Sequence, residues 1–159
     1  MIYSTLPELA KLKTHHIRLL GVDYGERHIG LAISDLSWTI TRALPVLDVK
    51  KTNVFSYFKD LVEKESIGGI VIGYPKHMCG DAGELCQKVH RFCQKLSHHV
   101  KDIPIIRFDE RLTSMMAERF MLQADVSREK RKQKLDSIAA CCILQNALDF
   151  LKKQALFQE

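Results

Sequence analysis

The stretch Ile17-Arg-Leu-Leu-Gly-Val-Asp-Tyr-Gly-Glu-Arg-His-Ile-Gly-Leu-Ala-Ile-Ser34 decides the fold. Ile17 to Val22 is an apolar run too short for a helix, so it reads as a buried strand that ends in a turn at Asp23, Tyr24 and Gly25. Ile29 to Ser34 resumes the apolar pattern after Glu26 to His28, and the two runs read as a hairpin. A third strand is expected over Thr39 to Leu47, with Pro45 hinting at an edge or a strand end.

Downstream, Val54, Phe55, Phe58, Leu61 and Val62 recur at helical spacing, which predicts a helix closed by Gly68 and Gly69. Ile70 to Ile72 is then a short buried strand, Lys76 to Gly83 a loop, and Leu85 to Leu96 a helix. Ile103 to Phe108 reads as another strand, stopping at Asp109, Glu110 and Arg111. Thr113 is placed to cap a helix whose apolar stripe is Met116, Ala117, Phe120 and Met121. A polar, basic connection through Lys134 leads to Asp136, and Ile138 to Leu151 is apolar almost all round, as in a helix packed deep against a sheet. The order is that of an α/β protein: a three-stranded antiparallel meander, then strands alternating with helices, giving a mixed sheet with helices on both faces.

The 159 residues fit one domain, with residues 1–16 as a polar leader and 17–151 as the core, and the 46% hydrophobic content excludes a disordered or fibrous chain. No apolar run reaches the ~20 residues needed to cross a bilayer, and the start lacks the apolar centre of a signal peptide; a cytoplasmic protein is expected. Five cysteines with no CxxC pair suit a reducing compartment. Cys86, His90 and Cys93 share a helical face, but so do Leu85, Val89, Phe92 and Leu96, so the cysteines read as buried thiols rather than zinc ligands. The charge of +5 is moderate but clustered at Arg128, Lys130, Arg131, Lys132 and Lys134, a patch suited either to phosphates or to an ordinary solvated surface.

Hydrolysis of a phosphodiester by two metals needs carboxylates from separate elements converging on one place. Asp23 ends the first strand, Glu110 the last, and Asp136 opens the final helix, so convergence at the carboxyl ends of the strands is topologically reasonable. Such oxygen ligands suit Mg²⁺ or Mn²⁺. Singly, each acid has a plain structural explanation: a turn at Asp23, a surface pair at Glu110, a helix cap at Asp136. Jointly these weaken, because Asp23 follows a buried strand directly and Asp136 directly precedes a buried helix, where an unpaired charge is costly. Arg111 and Thr113 stand beside this candidate site and suit contacts to phosphate, although Thr113 also suits a helix cap. Gly73 reads as part of a strand-to-helix connection; Gly80 is left open between that and a phosphate loop.

Gly21-Val-Asp-Tyr-Gly-Glu-Arg-His-Ile-Gly-Leu-Ala-Ile-Ser-Asp35 resembles the opening motif of the YqgF-type family, bacterial proteins described as pre-16S ribosomal RNA nucleases or as Holliday-junction resolvases. The resemblance continues through Ile70-Val-Ile-Gly-Tyr-Pro75, Asp109-Glu-Arg-Leu-Thr113 and Lys134-Leu-Asp-Ser-Ile-Ala-Ala140, four motifs in order between Ile17 and Phe150. It implies an RNase H-like fold with a five-stranded mixed sheet, and it carries the family's acidic positions onto Asp23, Glu110 and Asp136. The loop Lys76-His-Met-Cys-Gly-Asp81 is more basic than the family pattern.

The expected function is a metal-dependent endonuclease acting on the 5′ end of precursor 16S ribosomal RNA. Branched DNA is the alternative substrate, and a resolvase would act as a homodimer on a two-fold junction, where a processing nuclease could be a monomer. A non-catalytic RNA-binding assembly factor is the remaining class, disfavoured by the three acids. The Asp-Tyr-Gly turn also looks like a phosphate-binding loop of actin-like ATPases and sugar kinases, but those need two such domains and this chain has length for one.

Overall fold

A computed structural model describes residues 5–13, 16–74, 83–109 and 128–157, with the backbone alone for 109 and 128–134. In chain order its elements are α1 (Leu6–Ala10), β1 (Arg18–Asp23), β2 (His28–Ser34), β3 (Thr41–Asp48), α2 (Val54–Lys64), β4 (Ile67–Tyr74), α3 (Glu84–His99), β5 (Ile105–Asp109) and α4 (Arg128–Phe157). The strands form one five-stranded sheet in the order β3-β2-β1-β4-β5. β1, β2 and β3 are the expected antiparallel meander, while β4 and β5 run parallel to β1.

Strand alternation divides the side chains into two apolar layers. On one face Leu20, Val22, Leu31, Ile33, Ile70, Ile72 and Ile105 meet Val54, Phe58 and Leu61 of α2 and Cys86, Val89, Phe92, Cys93 and Leu96 of α3. On the other, Leu19, Ala32, Val71 and Ile106 meet Leu9 of α1 and Ala140, Ile143, Leu144, Ala147, Leu148 and Leu151 of α4. Each fully buried aliphatic or aromatic side chain contributes about 1.5–3 kcal/mol by leaving water. As expected of buried thiols, Cys86 and Cys93 lie inside the first layer, and burial pushes the Cys93 thiol up to about 12.

Pro45 does lie on an edge strand, β3, opposite the register shift between Ile29 and Leu31 that absorbs its missing donor. Three expectations need correction. Gly68 and Gly69 do not close α2: they lie inside β4, and the left-handed residue after the helix is Ser66 (φ 54°). A Cβ on Gly69 would lie 2.7 Å from Leu9 Cδ2 and 2.9 Å from Leu19 Cδ2, so the glycine serves packing rather than a cap. The segment before Ile17 is more than a polar leader, since α1 carries the fully buried Leu9. The basic connection ahead of Asp136 is helix: α4 begins at Arg128 and runs 30 residues. Arg, Glu, Lys and Gln form helix readily without any apolar period to announce it. The helix proposed behind Thr113 lies outside the described residues.

Candidate active site

Asp23 closes β1, half-buried, and pairs in antiparallel register with Gly30. Residues directly opposite in such a pair project to the same side of the sheet. The side is α4's: Leu19, two pairs back along β1, packs against α4, and Gly21 faces it so closely that a Cβ there would lie 2.7 Å from Leu144 Cβ and 2.9 Å from the Ala140 carbonyl oxygen. Gly30 permits the closest approach, because a Cβ on it would sit 2.0 Å from the carbonyl oxygen of Asp136. Asp136, Ala140 and Leu144 are successive i, i+4 positions, so one ridge of α4 rests on the two glycines. The backbone of Asp136 is thereby seated on the strand position that pairs with Asp23.

Of the acids expected at the site, Asp23 lies at the carboxyl end of β1 and the backbone of Asp136 passes beside its register partner Gly30. Asp136, also half-buried, does not open the final helix as expected and so cannot cap it, for eight helical residues precede it. At about 1.5 Å per residue they carry α4 roughly 12 Å beyond Asp136. Arg128, Lys130, Arg131, Lys132 and Lys134 occupy those first turns, placing the basic cluster on a helix that leads to the acids.

The carboxyl ends of β1, β4 and β5 share one edge of the sheet, since Val22 pairs with Ile72, Gly73 with Phe108 and Tyr74 with Asp109. Gly73 lies within β4, paired with Phe108, rather than in the strand-to-helix connection expected of it. Phe108 packs on the α4 side, the side of Asp23. Glu110, Arg111 and Thr113 follow and lie outside the described residues, as do Gly80 and the Lys76 to Asp81 loop. Among the described residues no group of three or more His, Cys, Asp or Glu gathers as a metal site. Asp23 and Asp136 carry hard carboxylate oxygens, the donor chemistry that fits Mg²⁺ or Mn²⁺, and the backbone of Asp136 lies beside the strand position that pairs with Asp23.

One feature at this end of the sheet has no counterpart among the expected site residues. On the opposite face, Tyr24, Phe55 and Phe92 line a cleft of about 290 Å³ together with Lys88, Arg91 and Lys95. The Tyr24 and Phe92 rings lie 4.9 Å apart and those of Phe55 and Phe92 5.7 Å apart. Lys88 pairs with Glu26 and, at 2.9 Å, with Glu84, which together raise its pKa. Partial burial, then the Glu26 charge, raise that of the Tyr24 phenol against the pull of Lys88 and Arg91. The signal available in sequence was the spacing of the three cations at i, i+3 and i+7, masked by the stronger apolar stripe of the same helix.

The family model described as RuvX, Holliday junction resolvase, matches residues 17–150. The chain belongs to this family. Among its relatives, a protein of Thermoanaerobacter pseudethanolicus named "Putative pre-16S rRNA nuclease" is 42% identical over 140 residues, covering 87% of this chain and 100% of the relative. A protein of the same name from a Ruegeria species is 37% identical over 153 residues, covering 96% and 97%. In structure, the RuvX-family chain resembles T. thermophilus RuvC in complex with a Holliday junction substrate, with a TM-score of 0.55 over 88% of this chain and 96% of that one. At 13% identity this likeness concerns the fold, which is RNase H-like. Among the described residues no helix is long and apolar enough to cross a membrane.

Proposed function

We propose that the chain is a metal-dependent endonuclease that processes the 5′ end of precursor 16S ribosomal RNA in the cytoplasm, with Asp23, Glu110 and Asp136 as the metal-holding carboxylates. The observation that carries this reading is the seating of the Asp136 backbone on Gly30, the register partner of Asp23, which supports a shared site for the two acids at the strand ends, where α/β proteins bind ligands. Relatives named for pre-16S rRNA support the choice of substrate. Mg²⁺ or Mn²⁺, when bound, would supply the positive charge that stabilises the attacking and leaving oxygens.

The chain's own residues divide the remaining work. Asp23 and Asp136 are half-buried and stand on a strand and a helix, so little backbone reorganisation is needed once substrate arrives. Arg111 and Thr113 are assigned to phosphates next to the scissile bond. Arg128, Lys130, Arg131, Lys132 and Lys134 are assigned to flanking phosphates, gripping the strand without reading its sequence.

A second reading, cleavage of branched DNA by a homodimer, is favoured by the family's description as a Holliday junction resolvase. The test is incubation of purified protein with Mg²⁺ or Mn²⁺ and two labelled substrates, a precursor 16S 5′ fragment and a four-way DNA junction, with Asp23→Asn protein as control. Cleavage of the RNA alone, lost in the variant, is the expected outcome. Selective cutting of the junction would transfer the assignment to the resolvase, and binding without cleavage of either would leave an assembly factor.

A further inference from the structure

The cleft on the α2–α3 face combines aromatic rings with cations, and neither the carboxylates nor the basic turns of α4 use it. We propose that it receives one unpaired nucleotide of the substrate strand, its base against Tyr24, Phe55 and Phe92 and its phosphate on Arg91 and Lys95. This subsite presupposes the nucleic-acid substrate proposed above and adds to it a requirement for a single-stranded segment beside the cut.

The chemistry fits one occupant. Tyr24 and Phe55 are half-buried, so each is anchored in the core while part of its ring borders the cleft, the arrangement by which proteins stack bases regardless of sequence. The volume of about 290 Å³ stands at the lower end of ligand sites, which run roughly 300–1,000 Å³, and so matches a single nucleotide rather than a duplex. Lys88, Arg91 and Lys95 lie along one stripe of α3. Lys88 is already paired with two carboxylates, whereas Arg91 and Lys95 are exposed and form no salt bridge among the described residues. Their charge is therefore available to a phosphate.

Position supplies an independent argument. Tyr24 directly follows Asp23, yet Asp23 belongs to the α4 face and Tyr24 packs with the α2–α3 layer. A strand held at Asp23 and at the cleft must pass round the end of the β1–β2 hairpin from one face of the sheet to the other. Duplex DNA, with a persistence length of about 150 bp, resists so tight a turn, whereas an unpaired strand does not.

The experiment titrates a five-nucleotide single-stranded RNA carrying 2-aminopurine with wild-type protein in EDTA, where no cleavage intervenes, beside the same sequence held in the stem of a stable RNA hairpin. Stacking in the cleft quenches the fluorophore. Arg91→Ala combined with Lys95→Ala, both exposed and so compatible with folding, is expected to weaken single-strand binding about tenfold at low salt and reduce its salt slope by about 0.7 for the phosphate lost. Duplex binding and the distant control Lys101→Ala are expected to stay at wild-type values. Phe55→Leu is expected to reduce the quench more than the affinity.

Unchanged single-strand binding by the double variant would overturn the subsite, as would an equal loss for duplex and single strand, or no quench with wild-type protein. Cleavage of precursor RNA, assayed in parallel, separates the two levels. Cleavage by wild-type protein with unaltered binding by the double variant removes the subsite and keeps the nuclease. A quench that depends on Arg91 and Lys95, without cleavage of any substrate, keeps the subsite and removes the nuclease.

Discussion

The two faces of the sheet are built from different materials. Against α2 and α3 the strands present Leu20, Val22, Leu31, Ile33, Ile70 and Ile72, and the helices answer with Phe58 and Phe92. Against α4 the strands present Gly21, Gly30 and Ala32, and the helix answers with Ala140 and Ala147 alongside its larger residues. Large side chains tolerate small displacements by changing rotamer, whereas helix backbone laid on a glycine has no such slack. The α4 face thus fixes the height of a helix above a strand closely, and it does so beside Asp23 and Asp136, the carboxylates proposed to hold the metal. The α2–α3 face contributes bulk stability and leaves a cleft at its rim.

The contrast is sharpest under Asp23→Asn, which changes one carboxylate oxygen to an amide and leaves the packing of both faces alone. Cleavage is expected to fall below detection while RNA binding, carried mainly by Lys and Arg, stays near wild type in a filter-binding assay. Cleavage at wild-type rate would remove Asp23 from the mechanism. Next in size is Phe58→Ala, a fully buried side chain on the bulk face, expected to cost about 3–5 kcal/mol of stability in urea unfolding. The kcat per folded molecule should nevertheless be largely kept, since Phe58 packs on the face opposite Asp23 and Asp136, while its contact with Phe92 makes KM the parameter that rises.

Gly30→Ala is the converse. The added methyl meets the Asp136 carbonyl at 2.0 Å, so α4 must lift, at a cost of about 1–3 kcal/mol. The expected signature is a loss of cleavage per folded molecule out of proportion to the loss of stability, measured as kcat beside the urea midpoint. If Gly30→Ala and Phe58→Ala lower stability and kcat in the same proportion, the two faces do not differ in the way described.

Much of this was legible in advance, and what was not has physical reasons. Ile17 to Ser34 betrayed its hairpin because apolar runs of strand length were broken by Tyr24-Gly25-Glu26, where period and turn chemistry agree. Asp23 and Asp136 stood out by adjacency to buried elements. The role of Gly30 was invisible, since a glycine required by a helix more than a hundred residues away looks like one required by its own backbone. Gly68 and Gly69 were misjudged for the same reason: the residue that ends helices also admits Leu9 and Ile17 against a strand. The first turns of α4 escaped notice because helix propensity without amphipathic period leaves no trace in a hydrophobic pattern. Glu110 rests on the motif Asp109-Glu-Arg-Leu-Thr113.

The smallest expected effect concerns the thiols. On the bulk face Cys93 is enclosed among apolar side chains, and burial holds its thiol at about 12 against an ordinary value of 9.0. On α4, Cys141 and Cys142 are half-buried and raised by burial too, with a hydrogen bond from Thr41 opposing the rise at Cys141. A thiol-reactive dye at pH 8 should therefore modify Cys141 and Cys142 before Cys93. For Cys93 the unfolded chain releases its proton from about pH 9, while the folded protein keeps it until about 12. Between those values the unfolded state binds fewer protons, so this group lowers stability as pH rises, and below pH 9 it contributes no pH dependence. Urea midpoints at pH 8 and pH 10 test this: wild-type protein should lose more stability over the interval than Cys93→Ala, whose packing defect is the same at both pH values. An equal loss in the two proteins would mean that water reaches Cys93, and that the bulk face is looser than its side chains imply.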